Sequence, residues 1–403
     1  MTRISPLCLH WTLILLAALT AQTAAAATPS SNPSIAAAVS TEPAALSLGE
    51  RLENLGRIYS NKDNPVMQEF WLLGRYHGQQ HWIDANNGQY EESLENRRLR
   101  MGFQGKFFNK LTLHAQMVSG TDLMPFYNGF TELWVQWSFS DALNLTIGQQ
   151  KHRFSHDRNV SSRYMNYLER AMLTNMFALD YTPAVTLSGK FGAFGYYTGV
   201  FSNATGPSMG NSFTKFNSGI SYIGALTWDL GKKLGTDNAA IYLSYLNSDL
   251  DRQATNLNRF NNGVSAALIL TDGPFSLVTE GTTGRGGARG NVHGINIQPS
   301  VFLTDKLQLA ARYQYAAADD VNGISAQRRY ERNVGMVTGG HYQAGYFGLN
   351  YYIARHRLKV MTGIEYSKLD QRDCWTTSVA FRFFFGPHSK GPFPMAQMLD
   401  GVW

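Results

Sequence analysis

The stretch GQQKHRFSHDRN, from Gly148 to Asn159, brings a cluster of cationic side chains together in the first half of the chain. Its members are Lys151, His152, Arg153, His156 and Arg158. The preceding run, ALNLTI, alternates apolar and polar residues as a β-strand does. Ammonium and guanidinium groups form strong, charge-assisted hydrogen bonds with oxyanions. Whether the cluster can meet anions depends on where that strand places it.

Alternation with a period of two recurs down the chain and predicts sixteen β-strands. In LTLHAQM, for example, Leu, Leu, Ala and Met share one face, and Thr, His and Gln share the other. The predicted strands start near Met67, Arg97, Leu111, Gly129, Leu143, Ala184, Phe194, Asn217, Ala239, Phe260, Pro274, Asn291, Leu307, His341, Arg357 and Cys374. Short connections alternate with longer ones, such as residues 84–96 and 154–183. This alternation is typical of an outer-membrane barrel with short periplasmic turns and long outer loops.

Composition favours an all-β protein that spans a membrane. Charged residues make up 16% of the chain and aromatic residues 13%, and no stretch after residue 27 is long and apolar enough for a membrane helix. The bilayer core offers no water to backbone groups, so a spanning sheet must close on itself. Sixteen strands enclose an interior too wide for their own side chains to fill. We therefore predict a transmembrane antiparallel β-barrel of about sixteen strands, with a polar, water-filled lumen.

The chain divides into four predicted segments. Residues 1–27 have the features of a cleaved secretory signal, which indicates export towards the bacterial outer membrane. Residues 28–64 form a periplasmic leader with a short amphipathic helix, whose apolar face comprises Leu48, Leu52, Leu55 and Tyr59. That face could join protomers in a coiled coil or pack on its own barrel. The barrel domain spans residues 65–385, and residues 386–403 form a tail, because strict alternation ends at Phe385.

The cationic cluster lies where its strand leaves the hydrocarbon. By alternation, Lys151 and Arg153 fall on the lipid side and belong to the outer rim, unless a bulge at Gly148 turns them inward. The long connection that follows, residues 154–183, is predicted to fold into the lumen, with SSRYMNYLERAML locally helical. The candidates for a pore constriction are Lys151, His152, Arg153, Arg158, Arg163 and Arg170. The alternative is that the loop arginines pair with Asp157, Glu169 or Asp180 as scaffolding.

Alternation also places charged residues along the lumen wall. The predicted lumenal cations are Arg75, Arg98, Arg100, Lys106, Arg312, Lys359 and Arg382, and the acids are Glu69, Glu132, Asp229, Glu280 and Glu365. Since charged rings set the sign of ion selectivity, this small excess predicts a mild anion preference, unless the charges are cross-paired. The loop GRGGARG adds Arg285 and Arg289, which could draw anions to the outer mouth.

The chain resembles the phosphate-selective porin O and P family in ENRRLRMGFQGKFF, FTELWVQWSFSDALNLTIGQQKHRFS, LERAMLTNMF, YTPAVTLSGKFG and YYTGVFSNATG. The resemblance covers most of residues 67–385. It implies sixteen strands, a homotrimer, and a constriction formed by the third outer loop, residues 154–183. Phosphate-selective members carry lysines in that loop, whereas this loop has only arginines and acids after Lys151. The resemblance therefore carries over the fold rather than the solute.

The predicted function is a passive outer-membrane porin for small hydrophilic solutes, with a mild preference for anions that could include phosphate or another oxyanion. Its expected partners are outer-membrane lipid, small anionic or neutral solutes and two further copies of the chain. A formal charge of +6 without a Lys/Arg run argues against a nucleic-acid partner. No catalytic set, metal-ligand spacing or cofactor motif is apparent. There are two alternatives to this function. The first is a non-conducting structural or adhesive barrel plugged by its own loops, and the second is an outer-membrane enzyme.

Overall fold

The computed structural model describes residues 46–177, 180–249, 259–288 and 290–387. The predicted signal peptide, most of the leader, Arg289 and the tail from residue 388 lie outside the described residues. None of the described helices is long and apolar enough to cross a membrane.

Strands dominate the described part of the chain. They are β1 (Arg57–Ser60), β2 (Met67–Ala85), β3 (Tyr90–Phe107), β4 (Leu111–Val118), β5 (Phe130–Ser140), β6 (Leu143–Lys151), β7 (Tyr181–Phe191), β8 (Phe194–Ser202), β9 (Ile220–Asp229), β10 (Asn238–Ser248), β11 (Asn262–Asp272), β12 (Phe275–Arg285), β13 (Val292–Phe302), β14 (Leu307–Ala318), β15 (Ile324–Ser325), β16 (Thr338–Gly339), β17 (His341–Ala354), β18 (Leu358–Leu369) and β19 (Arg372–Phe385). The short helices are α1 (Leu48–Asn54), α2 (His156–Asn159), α3 (Met172–Met176), α4 (Asn211–Thr214) and α5 (Gly231–Leu234), with 3₁₀ turns at Thr121–Leu123 and Glu331–Val334.

Sixteen of the described strands close into one antiparallel barrel. Each strand from β2 to β14 pairs with the next, β14 pairs with β17, and β19 returns to β2. At this seam Phe385 lies opposite Gly74, where a Cβ atom would stand only 2.0 Å from the Phe385 ring. Glycine is therefore required there for closure. The predicted barrel of sixteen strands is confirmed. Alternation predicts it well because each strand of such a barrel has lipid on one face and the lumen on the other.

The first outer connection is much shorter than predicted. Strands β2 and β3 contain 19 and 18 residues, well beyond the roughly 9–11 residues that cross a bilayer. Only residues 86–89 join them, so the long loop predicted for residues 84–96 is wrong. The start of β3, YEESLEN, is polar on both faces and lacks the alternation that marks a strand at the bilayer.

The leader helix is also shorter than predicted and gives way to a strand. Helix α1 begins with a capping box, in which the Glu50 amide donates to Ser47 Oγ and the Ser47 amide donates to the Glu50 carboxylate. Gly56 then adopts φ +87°, and its carbonyl accepts from the amide of Leu72. Strand β1 consequently pairs with β2 over residues 69–71, so the helical assignment of Tyr59 is wrong.

Candidate functional site

The connection between β6 and β7 lies inside the barrel. We call its described part, residues 152–177, the inward loop. Arg75 of β2 donates to Ser162 Oγ of this loop at 2.9 Å, and Tyr167 Oη donates to the carbonyl of Ala311 in β14 at 2.9 Å. On the same wall as Ala311, Gln314 accepts from the Met172 amide at 2.7 Å. Since β2 and β14 are separated by three strands in the barrel, the loop reaches across the lumen.

The inward loop is irregular because the barrel wall takes its carbonyl groups. Arg382 donates to the carbonyls of Tyr167 and Leu168, at 3.1 and 2.6 Å. Lys359 Nζ donates to the Met165 carbonyl at 2.6 Å. A carbonyl that already accepts a hydrogen bond from a wall cation does not need the helical hydrogen bond from the amide four residues later. The helix predicted over SSRYMNYLERAML is therefore wrong, apart from the start of α3 near its end.

The first turn of the inward loop is held by a buried carboxylate on β12. Glu280 accepts from the backbone amides of His156 and Asp157, at 2.5 and 3.0 Å, and from Ser265 Oγ at 2.6 Å. The Asp157 carboxylate in turn accepts from the Ala171 amide at 3.1 Å. These contacts fix both ends of the loop segment that crosses the lumen. Glu280 is thus a scaffolding residue rather than a free lumenal acid.

A bulge in β3 adds an inward arginine that strict alternation misses. His77 pairs with Arg98 and the next residue, Gly78, pairs with Asn96, so Arg97 is the extra residue between them. Its guanidinium contacts the Glu169 carboxylate through two hydrogen bonds, at 2.7 and 3.2 Å. Burial alone would raise the pKa of the Glu169 carboxyl, but Arg97 holds it well below its usual range. This pair clamps the inward loop to the wall.

The end of β6 turns its cations inward. The Lys151 ammonium is buried and donates to the carbonyls of Asn159 and Val160, at 2.9 and 3.3 Å. Gly148 has φ +122°, yet the register on both sides of β6 is unbroken around it, so the positive φ accompanies no register-shifting bulge. The lumenal alternative for Lys151 is the one observed, and its outer-rim alternative is wrong.

Seven cationic side chains converge beside the inward loop, and we call the space between them the cationic cleft. Its charged lining consists of Arg75, Arg98, Arg100, Lys151, Arg153, Arg158, Arg170 and one acid, Glu132. Ser161, Ser162 and Tyr181 complete it. The cleft has a volume of about 30 Å³, room for a few water molecules or one small anion. Sequence positions far apart, from β2 to the inward loop, meet here.

Several donors in the cationic cleft have no acceptor within the described part of the chain. They include Nε of Arg75, Nε of Arg158 and Nη1 of Arg170, all buried. Arg100 and Arg158 both lie over the ring of Tyr181, with guanidinium carbons 5.2 and 5.3 Å from its centroid. Buried donors without acceptors are uncommon in folded proteins, which makes the cleft suited to a ligand that supplies oxygen atoms.

The other predicted site residues lie elsewhere. Arg163 donates to the Pro387 carbonyl and lies over the Phe384 ring, and it does not line the cleft. His152 is fully buried, where its Nε2 forms a hydrogen bond with Thr182 Oγ1 at 2.6 Å and its ring packs edge-on against the Phe201 ring. The remaining predicted cations fall into three groups. Arg312 forms an ion pair with Glu365. Lys359 and Arg382 donate to carbonyls of the inward loop, and Lys106 and Arg285 are exposed.

A second outer connection also contacts the inward loop and the barrel wall, and the sequence pattern does not predict this. In this second loop, residues 319–340, Arg329 pairs with Glu95 of β3 at 2.7 Å. Gln327 donates to the Arg170 carbonyl and accepts from Asn175, which ties the second loop to the inward loop. No signal in the sequence distinguishes this loop, because its partners are distant in the chain.

Much of the outer lumen is filled by apolar side chains rather than water. Phe154, Phe177 and other residues of the inward loop share one apolar core with wall residues and with Val334 and Met336 of the second loop. Phe201 is among the wall residues in this core. The prediction of a polar, water-filled lumen is therefore wrong on this side, because the loops bring their own apolar groups into it.

The chain matches known proteins in part of its sequence and in its fold. Residues 70–229 match the family model described as phosphate-selective porin O and P. That range contains β2 to β9 and the inward loop, so the resemblance seen in the sequence is confirmed there. No curated protein matches the sequence.

Outer-membrane porins are among the solved structures with a similar fold. OmpF of Salmonella typhi has a TM-score of 0.57 at 11% identity, over 81% of this chain and 100% of that one. An anion-selective porin from Comamonas acidovorans scores 0.55 at 11% identity, over 78% and 99%. OprB of Pseudomonas putida scores 0.53 at 12% identity, over 78% and 94%. At these identities the likeness concerns the fold.

Proposed function

We propose that the protein is a passive outer-membrane channel for small hydrophilic solutes that prefers anions, phosphate or another small oxyanion among them. The observation that carries this proposal is the cationic cleft beside the inward loop, where seven cations face one carboxylate. A narrow, low-dielectric passage focuses the field of such charges and raises the local concentration of anions. The fold and the family match favour a channel over an enzyme.

The chemistry of the cleft suits an oxyanion better than chloride. Arginine guanidinium groups present paired N–H donors that match the oxygens of carboxylate or phosphate. The donors of Arg75, Arg158 and Arg170 without acceptors would gain partners from such a solute. Neutral solutes of similar size would also pass, but without this attraction. In the membrane the channel would form a homotrimer surrounded by outer-membrane lipid.

The direct test is single-channel recording in a planar lipid bilayer with a tenfold salt gradient. We expect an open channel whose reversal potential has the sign of anion permeation. Micromolar to millimolar phosphate should reduce chloride current, because a bound oxyanion occupies the cleft. Neutral glucose at the same concentration is the control and should leave the current unchanged. Cation-selective current would contradict the proposal.

A second candidate is a non-conducting barrel closed by its own loops. The observation that favours it is the apolar core that the inward loop and the second loop build in the outer lumen, together with the small volume of the cleft. If the refolded protein shows no conductance at any voltage in the same recording, this candidate replaces the channel.

A further inference from the structure

The outer wall of β11 to β14 carries a depression among otherwise bulky side chains. Cross-strand pairing places Ala266, Gly281, Ile295 and Tyr315 side by side in one row. All four are exposed on the outward face. The floor of this row is formed by Ala266, with only a methyl side chain, and by Gly281, with none. Outward positions nearby carry large side chains such as that of Leu268.

The depression is a groove with a volume of about 450 Å³. A Cβ atom at Gly281 would meet nothing within 4 Å, which shows how open its floor is. Val264, Ile295 and Tyr315 form the sides, and each is more than a third exposed. Pockets of this size that are mostly apolar, with polar groups at one end, are typical of sites for small molecules and lipids.

The height of the groove on the barrel is fixed by β12. This strand runs from Phe275 beside a short turn to Arg285 at its outer end. Gly281 is four residues below Arg285, about 13 Å along the strand at 3.3 Å per residue and less after tilt. The groove therefore lies in the outer half of the lipid-facing band, where acyl chains of the outer leaflet run.

Cationic and polar groups lie at the upper end of the groove. Arg285 is exposed at the end of β12, and no acidic side chain pairs with it among the described residues. The exposed His293 pairs across the strands with Thr283, one row below Arg285. Arginine at the level of lipid headgroups attracts phosphate, by about 1 kcal/mol for each basic residue near the surface.

We propose that this groove is a binding site for a phosphorylated lipid of the outer leaflet, with one acyl chain over Gly281 and its phosphate on Arg285. A smooth apolar wall would contact many lipids equally, but a groove of defined width below a cation holds one chain in one place. Close packing rather than water exclusion drives such association within a membrane. The site is independent of the cationic cleft and of whether the barrel conducts.

The test counts lipids retained by the full chain after purification in mild detergent, with lipid A as the added probe and native mass spectrometry as the measurement. Gly281→Leu fills the groove. Gly345→Leu is the matched control, because Gly345 is also outward and its Cβ would likewise meet nothing within 4 Å. Arg285→Gln removes the cation while leaving the groove open. Heat-modifiable mobility in gels shows whether each variant forms a barrel.

We expect the wild type and Gly345→Leu to retain lipid A, Gly281→Leu to lose most of it, and Arg285→Gln to bind about fivefold more weakly. Equal retention in Gly281→Leu and Gly345→Leu would overturn the site. So would a change in oligomer mass in Gly281→Leu without a change in lipid, because a second copy of the chain would then cover the groove. Undiminished binding by Arg285→Gln would refute the assignment of the phosphate to that arginine.

Discussion

Reversing the charge of one arginine in the cationic cleft should change ion selectivity more than the same reversal at the outer rim. Arg158 is the residue of choice because it lines the cleft and has two donors without acceptors. Its ion-pair partner, Asp180, lies 4.0 Å away and has a side chain that is 56% exposed. Such a pair neutralises little of the arginine charge.

The magnitude follows from the size of the cleft. An anion in a space of about 30 Å³ passes roughly 4 Å from Arg158, where two unit charges interact by about 1 kcal/mol in bulk water and about 4 kcal/mol near a protein surface. Arg158→Glu replaces an attraction by a repulsion and so doubles the change, to at least about 2 kcal/mol. Six cations remain in the cleft and offset part of this. We expect the ratio of anion to cation permeability to fall about tenfold, which corresponds to about 1.4 kcal/mol.

The assay is the reversal potential of single channels in a tenfold gradient of potassium chloride, where ideal selectivity gives about 59 mV for a monovalent ion. Arg158→Glu should move it by tens of millivolts towards the cation limit. Arg285→Glu, the matched control on the exposed rim, should shift it slightly at 0.1 M salt and not at 1 M, because the Debye length falls from about 10 Å to about 3 Å. Equal, small shifts in both variants would refute the cleft as the ion path.

Three further predictions concern the loops and the tail. Glu169→Gln leaves the partly buried Arg97 without its carboxylate and should loosen the inward loop by about 3 kcal/mol, the lower end for a buried pair, seen as faster proteolysis and noisier current, whereas Asp180→Asn should have little effect. Burial raises the pKa of the Glu331 carboxyl in the second loop to about 7, and the nearby Glu365 adds to this. The protonated acid therefore favours the docked loop, so docking should weaken as the pH rises through 7. Hydrogen exchange of the second loop should then differ between pH 5 and pH 8 in the wild type but not in Glu331→Gln. Deleting residues 388–403 should leave a heat-modifiable barrel, because the last strand ends at Phe385; loss of the barrel would mean that the tail takes part in closure.

The strands were predictable because each wall residue faces one of two different surroundings. In β17, for example, buried and exposed residues alternate almost without exception from His341 to Ala354. The alternating pattern misassigns residues where a β-bulge shifts the register of the strand. The bulge at Arg97 places Arg97 and Arg98 both towards the lumen, and a pattern read with a strict period of two assigns the first to the lipid side.

The loops were less predictable because their partners are distant in sequence. The direction of the inward loop followed from its length and from the family resemblance, but its irregular backbone did not. Local propensity favoured a helix over residues 161–173, while Lys359 and Arg382, nearly two hundred residues later or more, supply the hydrogen bonds that its carbonyls accept. The contacts of the second loop with Glu95 and Arg170 are of the same distant kind.

A count of charges along the lumen wall does not measure selectivity, because many of the lumenal cations are bound to the inward loop. Arg312, Lys359 and Arg382 donate to carbonyls of the inward loop, and Arg312 also pairs with Glu365, so these charges hold the loop in place. In the cationic cleft, Arg75 and Lys151 also bind the inward loop, but Arg75, Arg158 and Arg170 keep donors without acceptors among the described residues. In the proposed channel, the donors that remain unpaired in the cleft would give the passage its preference for anions. The excess of positive charge in the lumen is concentrated in the cleft, where the proposed channel would bring a solute close to these charges.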